Sequence, residues 1–196
     1  MEEQINRCGW CKGDSLYEAY HDQEWGVPLY DEDRLFEFLI LETFQAGLSW
    51  ITILRKRENF RKSLDGFDPQ KIALYGEEKL EELLQDSGII RNRMKIEATV
   101  SNAQAFLKVQ KEFGSFSRYI WGFVDHQPIQ SRLSSYRDAP SKTDMSIRIS
   151  KDLKKRGFKF VGPTVVYAHM QATGMVNDHE TTCHRYLAVQ DNNASR

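Results

Sequence analysis

LKKRGFKFVGPTVVYAHMQATG, residues 153–174, decides the fold. Its first half crowds four cations, Lys154, Lys155, Arg156 and Lys159; its second half, Pro163 to Thr173, is apolar. Gly157 and Gly162 bracket a tight turn at Phe160-Val161-Gly162. A basic helix beginning at Ser150, a hairpin, and an apolar helix opened by a proline form the pattern of a helix-hairpin-helix over about residues 150–174. A glycine in such a turn lets backbone amides approach a phosphate, and the second helix aims its N-terminus at the same anion. An ordinary helical hairpin with a solvated basic face is the competing reading. A further basic stretch, Gly88 to Lys95, is a weaker candidate for backbone contact.

Outward from this hairpin the chain reads as almost entirely helical. Asp31 is placed to cap a helix carrying Leu35, Phe36, Phe38, Leu39 and Leu41 on its apolar positions. Gly47 interrupts it, and Ser49 is placed to cap a second helix through Trp50, Ile51, Ile53 and Leu54. That helix ends in RKRENFRK (55–62), expected to be solvated. Asp68-Pro69 is an N-cap and first-turn pair. Glu77 to Gln85 is amphipathic, with Leu80, Leu83 and Leu84 inward, and Gly88 ends it. A longer helix is expected from about Asn92 to Phe113. Asp125 to Ser146, with two prolines and many Ser, Asp and Gln, reads as a long loop of the kind that often carries function. No run alternates at period two and nothing repeats, so the expectation is all-α, one domain over residues 1–196.

At 40% hydrophobic and 28% charged residues, the chain can bury a core without staples. A formal net charge of −1 does not mark a general polyanion binder, although a local basic patch can coexist with acidic helices. The start, MEEQINRCGW, is polar, so no signal peptide is expected, and no segment has the length of a membrane span. Cys8, Cys11 and Cys183 are an odd set, which favours thiols or metal ligands over a disulfide framework. The cytoplasm is the expected location, with no membrane partner.

Three groupings carry chemistry. Cys8 and His21 near the start, and His179 and Cys183 near the finish, are ligands of the type that hold zinc. His179 and Cys183 stand four apart, on one helical face or one turn. A site closed by four such ligands keeps no open position, is structural, and would clip residues of about 1–25 to about 175–190. Spacing leaves the set open: Cys8 and Cys11 form a C-x-x-C, and His184 adjoins Cys183. The second grouping is Glu42, inside the most apolar stretch, FEFLILETFQAGLSWITIL (36–54). A carboxylate there needs donors or it protonates. The third is a crowd of aromatics, Trp10, Tyr17, Tyr20, Trp25, Phe44 and Trp50. With Glu42 they suit a planar, electron-poor or cationic ring, because π-faces attract positive charge, although core packing is the competing reading and the commoner one for any single aromatic.

RCGW (7–10), YHDQEWGVP (20–28), QAGLSWITIL (45–54), SGIIRNRMKIEA (87–98), LKKRGFKFVGPT (153–164) and VNDH (176–179) together resemble the 3-methyladenine DNA glycosylase I family, almost end to end. The resemblance implies a helix-hairpin-helix DNA glycosylase fold and base-excision repair. The implied enzyme hydrolyses the N-glycosidic bond of N3-methyladenine in alkylated duplex DNA, releasing free 3-methyladenine and leaving an abasic site. It implies a structural Zn2+ on Cys8, His21, His179 and Cys183, with Cys11 a free thiol. The implied base pocket is Tyr20, Glu42 and Trp50, with Trp10, Tyr17 and Trp25 nearby and Glu42 as the catalytic group. Gly47 and Leu48 fall where the family fills the gap left by the extruded nucleotide; Lys159, Gly162 and Thr164 are the implied hairpin contacts. A monomer is expected. Two departures stand out. Phe44 replaces a polar residue before QAGLSW. Asn177 occupies the superfamily's usual aspartate position, with Asp178 one residue late and left without a role. No lysine is placed for Schiff-base chemistry, so no strand cleavage is expected.

Overall fold

The computed structural model describes residues 5–191. The expected span of 1–196, the first residues of the metal clip and the tail Asn192–Arg196 reach beyond the described residues. The centre is α2 (Glu32–Gln45), buried at every position from Leu35 to Phe44. A helix apolar on all sides must be surrounded, and α2 packs against α3 (Trp50–Ser63), α6 (Arg93–Phe113), α7 (Phe116–Trp121) and α9 (Pro163–Ala172). Its start is set by Asp31, whose side chain accepts from Arg34 N at 3.0 Å. Asp68 caps α4 (Pro69–Ile72), and Asn92 caps α6 through Lys95 N. α5 (Glu77–Gln85) has the expected bounds. The helix α1 (Ser15–Gln23), capped by Asp14, and α10 (Arg185–Asp191) complete the set with α7; none of these three is expected from the sequence.

Several local expectations need correction. Ser49 sits at the cap of α3, but its hydroxyl pairs with that of Thr52 at 2.7 Å and takes no backbone N–H. Arg57, read as part of a solvated run, is buried and ion-paired with Glu37 and Glu24, its guanidinium 5.0 Å from the Phe38 ring. The apolar stretch 36–54 therefore carries one paired carboxylate, Glu37, and one that is not, Glu42. The helix before the hairpin, α8 (Asp144–Lys155), begins six residues ahead of Ser150. Thr143 and Ser146 form a reciprocal cap there, each hydroxyl accepting the other's backbone N–H. Composition masks that start, because Ser and Asp favour caps and loops alike.

The chain is not purely helical. A parallel pair, β1 (Ile129–Gln130) with β2 (Val176–Asn177), ties the long loop to the segment before the C-terminal ligands. Such a two-residue pair is too short for an alternating signature. Two glycines close the same region. Gly174 has φ +69, and a Cβ there would lie 2.4 Å from the backbone of Val27 and Pro28. Gly26 has φ +76, and a Cβ there would lie 2.8 Å from His179 Nε2. Only glycine tolerates both the positive φ and the approach. Between α8 and α9, Asn102 pins the connection by bonding Lys159 N at 2.7 Å and Lys159 O at 3.1 Å. Among the described residues no helix is long and apolar enough to cross a membrane.

Candidate active site and metal centre

Two clusters lie back to back where α1, α2 and the segment after α9 converge. The first is Cys8, His21, His179 and Cys183, all buried, with ligand atoms within 4.8 Å of one another. Cys8 Sγ stands 3.5 Å from His179 Nδ1; Cys183 Sγ stands 3.5 Å from His21 Nε2 and 3.7 Å from His179 Nδ1. A tetrahedral site with Zn–S of ~2.3 Å and Zn–N of ~2.0–2.1 Å has S–N edges of roughly 3.5–3.6 Å. The residues present therefore fit a four-coordinate metal. Their surroundings fit as well. His21 Nδ1 bonds Asp22 at 2.8 Å and His179 Nε2 bonds Trp25 O at 3.1 Å, leaving the opposite ring nitrogens for a metal. Backbone N–H groups of Glu180 and Arg185 donate to the two sulfurs. The competing candidates fall away. Cys11 Sγ turns to Cys8 O, and His184 Nδ1 faces Asn6 O. His179 and Cys183 occupy the turn between β2 and α10, not a helix.

The second cluster is a cavity of about 200 Å³. All six pocket residues expected from the sequence line it: Trp10, Tyr17, Tyr20, Trp25, Glu42 and Trp50. Tyr17 and Tyr20 share one face of α1, three residues apart. Glu42 comes from the interior of α2, and Trp50 opens α3. The rings support one another: Trp10 lies 4.8 Å from Tyr17 and 5.0 Å from Trp25, and Tyr20 lies 5.6 Å from Trp50. Trp10 and Trp25 also pack on His21 and His179, at 5.4 Å and 4.7 Å. The Cys/His cluster is thus the back wall of the cavity. Phe44 does not line it; its ring packs 4.8 Å from Phe60, so that departure from the family pattern is core packing.

Polar atoms in this cavity are left without protein partners. Glu42 Oε2, Trp10 Nε1, Trp50 Nε1 and Asp178 Oδ1 are buried and unbonded, and all four residues line the space. Buried polar groups are almost always bonded, so two N–H donors and two carboxylate oxygens await a ligand or its water. Burial pushes the Glu42 carboxyl up to about 8 and, with smaller contributions from Cys11, Glu42 and Asp14, the Tyr17 phenol to about 12. Burial, then the Glu42 charge, raises the Tyr20 phenol well above its ordinary value.

The structure also brings in residues that sequence reasoning left out. Asp178 is held by Tyr167 OH at 2.6 Å and Gln171 Nε2 at 2.7 Å, both on its Oδ2, which leaves Oδ1 free toward the cavity. Asn177 instead spends its side chain on Gln130, Tyr186 O and His179 N. Gln45, from the QAGLSW motif, lines the cavity, and the long loop delivers Tyr136 and Ala139 to it. Reading that loop as functional was the available signal; nothing local singles out Tyr136.

A neighbouring cleft of about 410 Å³ shares Gln45, Ala168 and Gln171 with the cavity. Gly47, Leu48 and Thr164 line it together. Lys159 and Gly162 do not; Lys159 is exposed on the α8–α9 connection and Gly162 caps α9.

Comparison with known proteins gives the family. Escherichia coli (strain K12) DNA-3-methyladenine glycosylase 1 is 51% identical over 179 residues, which are 91% of this chain and 96% of that protein. A crystal structure of 3-methyladenine DNA glycosylase I is 52% identical with a TM-score of 0.89, covering 91% of this chain and 98% of that one. A variant of 3-methyladenine DNA glycosylase I in complex with 3-methyladenine is 37% identical with a TM-score of 0.89, covering 92% and 97%. The family model for methyladenine glycosylase matches residues 10–186. The chain therefore belongs to the methyladenine glycosylase family.

Proposed function

We propose that this chain hydrolyses the N-glycosidic bond of N3-methyladenine in alkylated duplex DNA, releasing the free base and leaving an abasic site. The observation that carries the reading is Glu42: a buried carboxyl with a bare oxygen, inside an aromatic cavity of about 200 Å³. A phosphate-binding module has no use for an acid among aromatics. The relative solved with 3-methyladenine supports the same ligand here. Alkylation at N3 makes the purine a cation, so the ring is drawn to the faces of Trp50 and Tyr20 and to an ionised Glu42. The charge also weakens the glycosidic bond, and the leaving base needs no protonation. As the N9–C1′ bond breaks, its electron pair returns to the base and neutralises it. Water adds to C1′, and Asp178 Oδ1 is the free carboxylate acceptor in the cavity for its proton. The base must first leave the stack, which costs a few kcal/mol and less for a damaged base.

In this reading Gly47 and Leu48, beside the cavity and exposed, enter the space the base vacates. The α8–α9 connection acts as a helix-hairpin-helix, presenting Lys159, Gly162 and Thr164 to the phosphates. Cys8, His21, His179 and Cys183 would hold Zn2+, which supplies structure: four protein ligands leave no position for substrate. The lining residues run from Trp10 to Asp178 within one chain, so we read the working unit as one glycosylase domain and a monomer.

Incubation with methylated duplex DNA should release 3-methyladenine, detected by chromatography. A protein that binds that DNA and releases no base would instead be a non-catalytic DNA-binding protein. Trp50→Ala is expected to weaken binding of free 3-methyladenine by about 1–3 kcal/mol, the value of one stacked base. Titration of the tryptophan fluorescence of each protein measures it, and an unchanged affinity would reject Trp50 as the platform.

A further inference from the structure

We propose that Lys95 is a positioning residue: from α6 it fixes the end of α2 and so sets the Gly47-Leu48 loop for duplex DNA. A helix C-terminus leaves its last carbonyl oxygens without partners. α2 has no basic residue in its last turn, and Ala46 leaves helical geometry at φ −48°, ψ 115°. Two of the exposed carbonyl groups are taken from outside. Lys95 Nζ donates to Phe44 O at 2.9 Å and to Ala46 O at 2.8 Å. Lys95 is only 7% exposed, on a helix whose neighbouring buried positions are apolar or small. An ammonium is expensive there unless its donors are used. This one sits at the negative end of the α2 dipole and makes charge-assisted bonds.

The place of these bonds gives them a function. Ala46 to Ser49 is a run of exposed residues between Glu42 on α2 and Trp50 on α3. Gly47 turns the chain at φ +85, and Leu48 presents a side chain 40% exposed. Within the loop, Leu48 N bonds Gln45 O at 2.7 Å, and the Gln45 amide reaches Leu48 O at 3.5 Å. Among the described residues, Lys95 is the one side chain from another element that bonds the backbone of 44–49. Tyr20, Glu42 and Trp50 of the cavity wall are carried by α1, α2 and α3, whereas the loop is tied to another element through Lys95. Loss of the ammonium therefore leaves the base pocket standing and frees the wedge beside it. The inference rests on reading Gly47-Leu48 as the loop that fills the vacated stack.

The test compares wild type with Lys95→Met, which keeps the stem and removes the donors. Single-turnover release of 3-methyladenine is measured from methylated duplex and from the same strand unpaired, alongside affinity for the free base. The duplex rate is expected to fall roughly 10- to 100-fold, the cost of misplacing a positioned group, with the single-strand rate and free-base affinity within about threefold of wild type. Lys95→Gln, whose shorter amide cannot reach both carbonyls, should show the same duplex-selective loss and decides the matter if Lys95→Met does not fold. Equal losses on duplex and single strand, or an unchanged duplex rate, overturn the proposal. Wild type that releases no base from either strand would overturn the glycosylase reading instead.

Discussion

Glu42→Gln is expected to lower kcat/KM for release of 3-methyladenine by roughly 10- to 150-fold, the value of a hydrogen bond to a charged group. The same substitution is expected to stabilise the fold at alkaline pH. Both effects follow from one fact: α2 buries Glu42 and gives its Oε2 no partner. In the unliganded protein, burial raises this carboxyl to about 8, so the group is largely neutral at pH 7. The unfolded chain ionises it near the ordinary carboxylate value of 4.5. The folded state therefore binds the extra proton between these values. Stability contributed by the protonated group is full below about 4.5 and is lost as pH rises through about 8. Glutamine does not titrate. The variant's advantage should grow across that window and level off above it, on the order of a few kcal/mol. Urea unfolding at pH 5, 7 and 9 measures it; wild-type and variant curves with a constant offset would mean that Glu42 is not buried as described.

Activity should run the opposite way. The alkylated base is a fixed cation, and the ionised carboxylate is its counter-charge. For wild type, kcat/KM should climb with pH toward a limb near 8, where free Glu42 loses its proton, and the Gln variant should lack that limb. A group that destabilises its own fold while serving the substrate is the expected mark of a functional site. A neutral adenine offers no such compensation, which favours the damaged base over the normal one.

How much of this was legible in the sequence depends on whether the signal was local. The bounds of α5 and α6 and the caps Asp31 and Asp68 follow from period and cap chemistry within a dozen residues. That Trp10, Tyr17, Tyr20, Trp25, Glu42 and Trp50 line one cavity was only partly legible: their types stood out, but core packing was the competing use for each aromatic, and only the fold brings 10–25 against 42–50. Arg57 was not: its burial depends on Glu24 arriving from the end of α1 and Glu37 from α2. Tyr136 and Asp178 reach the cavity through the pairing of Ile129 with Val176, a contact no local pattern encodes. The start of α8 was hidden because Thr143 and Ser146 look like loop until their reciprocal bonds are seen. The ligand quartet stood between these cases. Its residue types were plain, spacing left Cys11 and His184 as competitors, the family resemblance implied the set, and the geometry brings those same four together.

Removal of the metal is expected to lower the melting temperature by roughly 10–20 °C, and with it the affinity for free 3-methyladenine. The argument begins with chain length. Cys8 and His179 are 171 residues apart, and a cross-link closing so long a loop restrains the unfolded chain by on the order of 5 kcal/mol. Among the described residues, Arg7 pairs with Asp22 and Glu18 and Trp10 packs on Tyr17 and Trp25, but these contacts stay within the N-terminal part of the chain. The N-terminal segment meets the C-terminal turn through Asn6 Nδ2 to Thr182 O, His184 N to Asn6 O, and Gly9 N to Glu180. Without an ion, two thiols and two imidazoles are left buried against one another at 3.5–3.7 Å. The damage should then pass to the cavity, because Trp10 and Trp25 rest on His21 and His179, and Tyr20 and Asp178 directly adjoin those ligands in the chain. Purified protein should contain one equivalent of zinc. Cobalt substitution should give the absorption of a tetrahedral site with thiolate ligands. Cys183→Ser should lose the metal and the stability together, while Cys11→Ser should keep both, since Cys11 Sγ points at Cys8 O. Base affinity that survives metal loss at temperatures where the apo protein remains folded would show that the aromatic wall stands without the cage behind it. Metal loss with no change in melting temperature would show that the long loop is closed by packing alone.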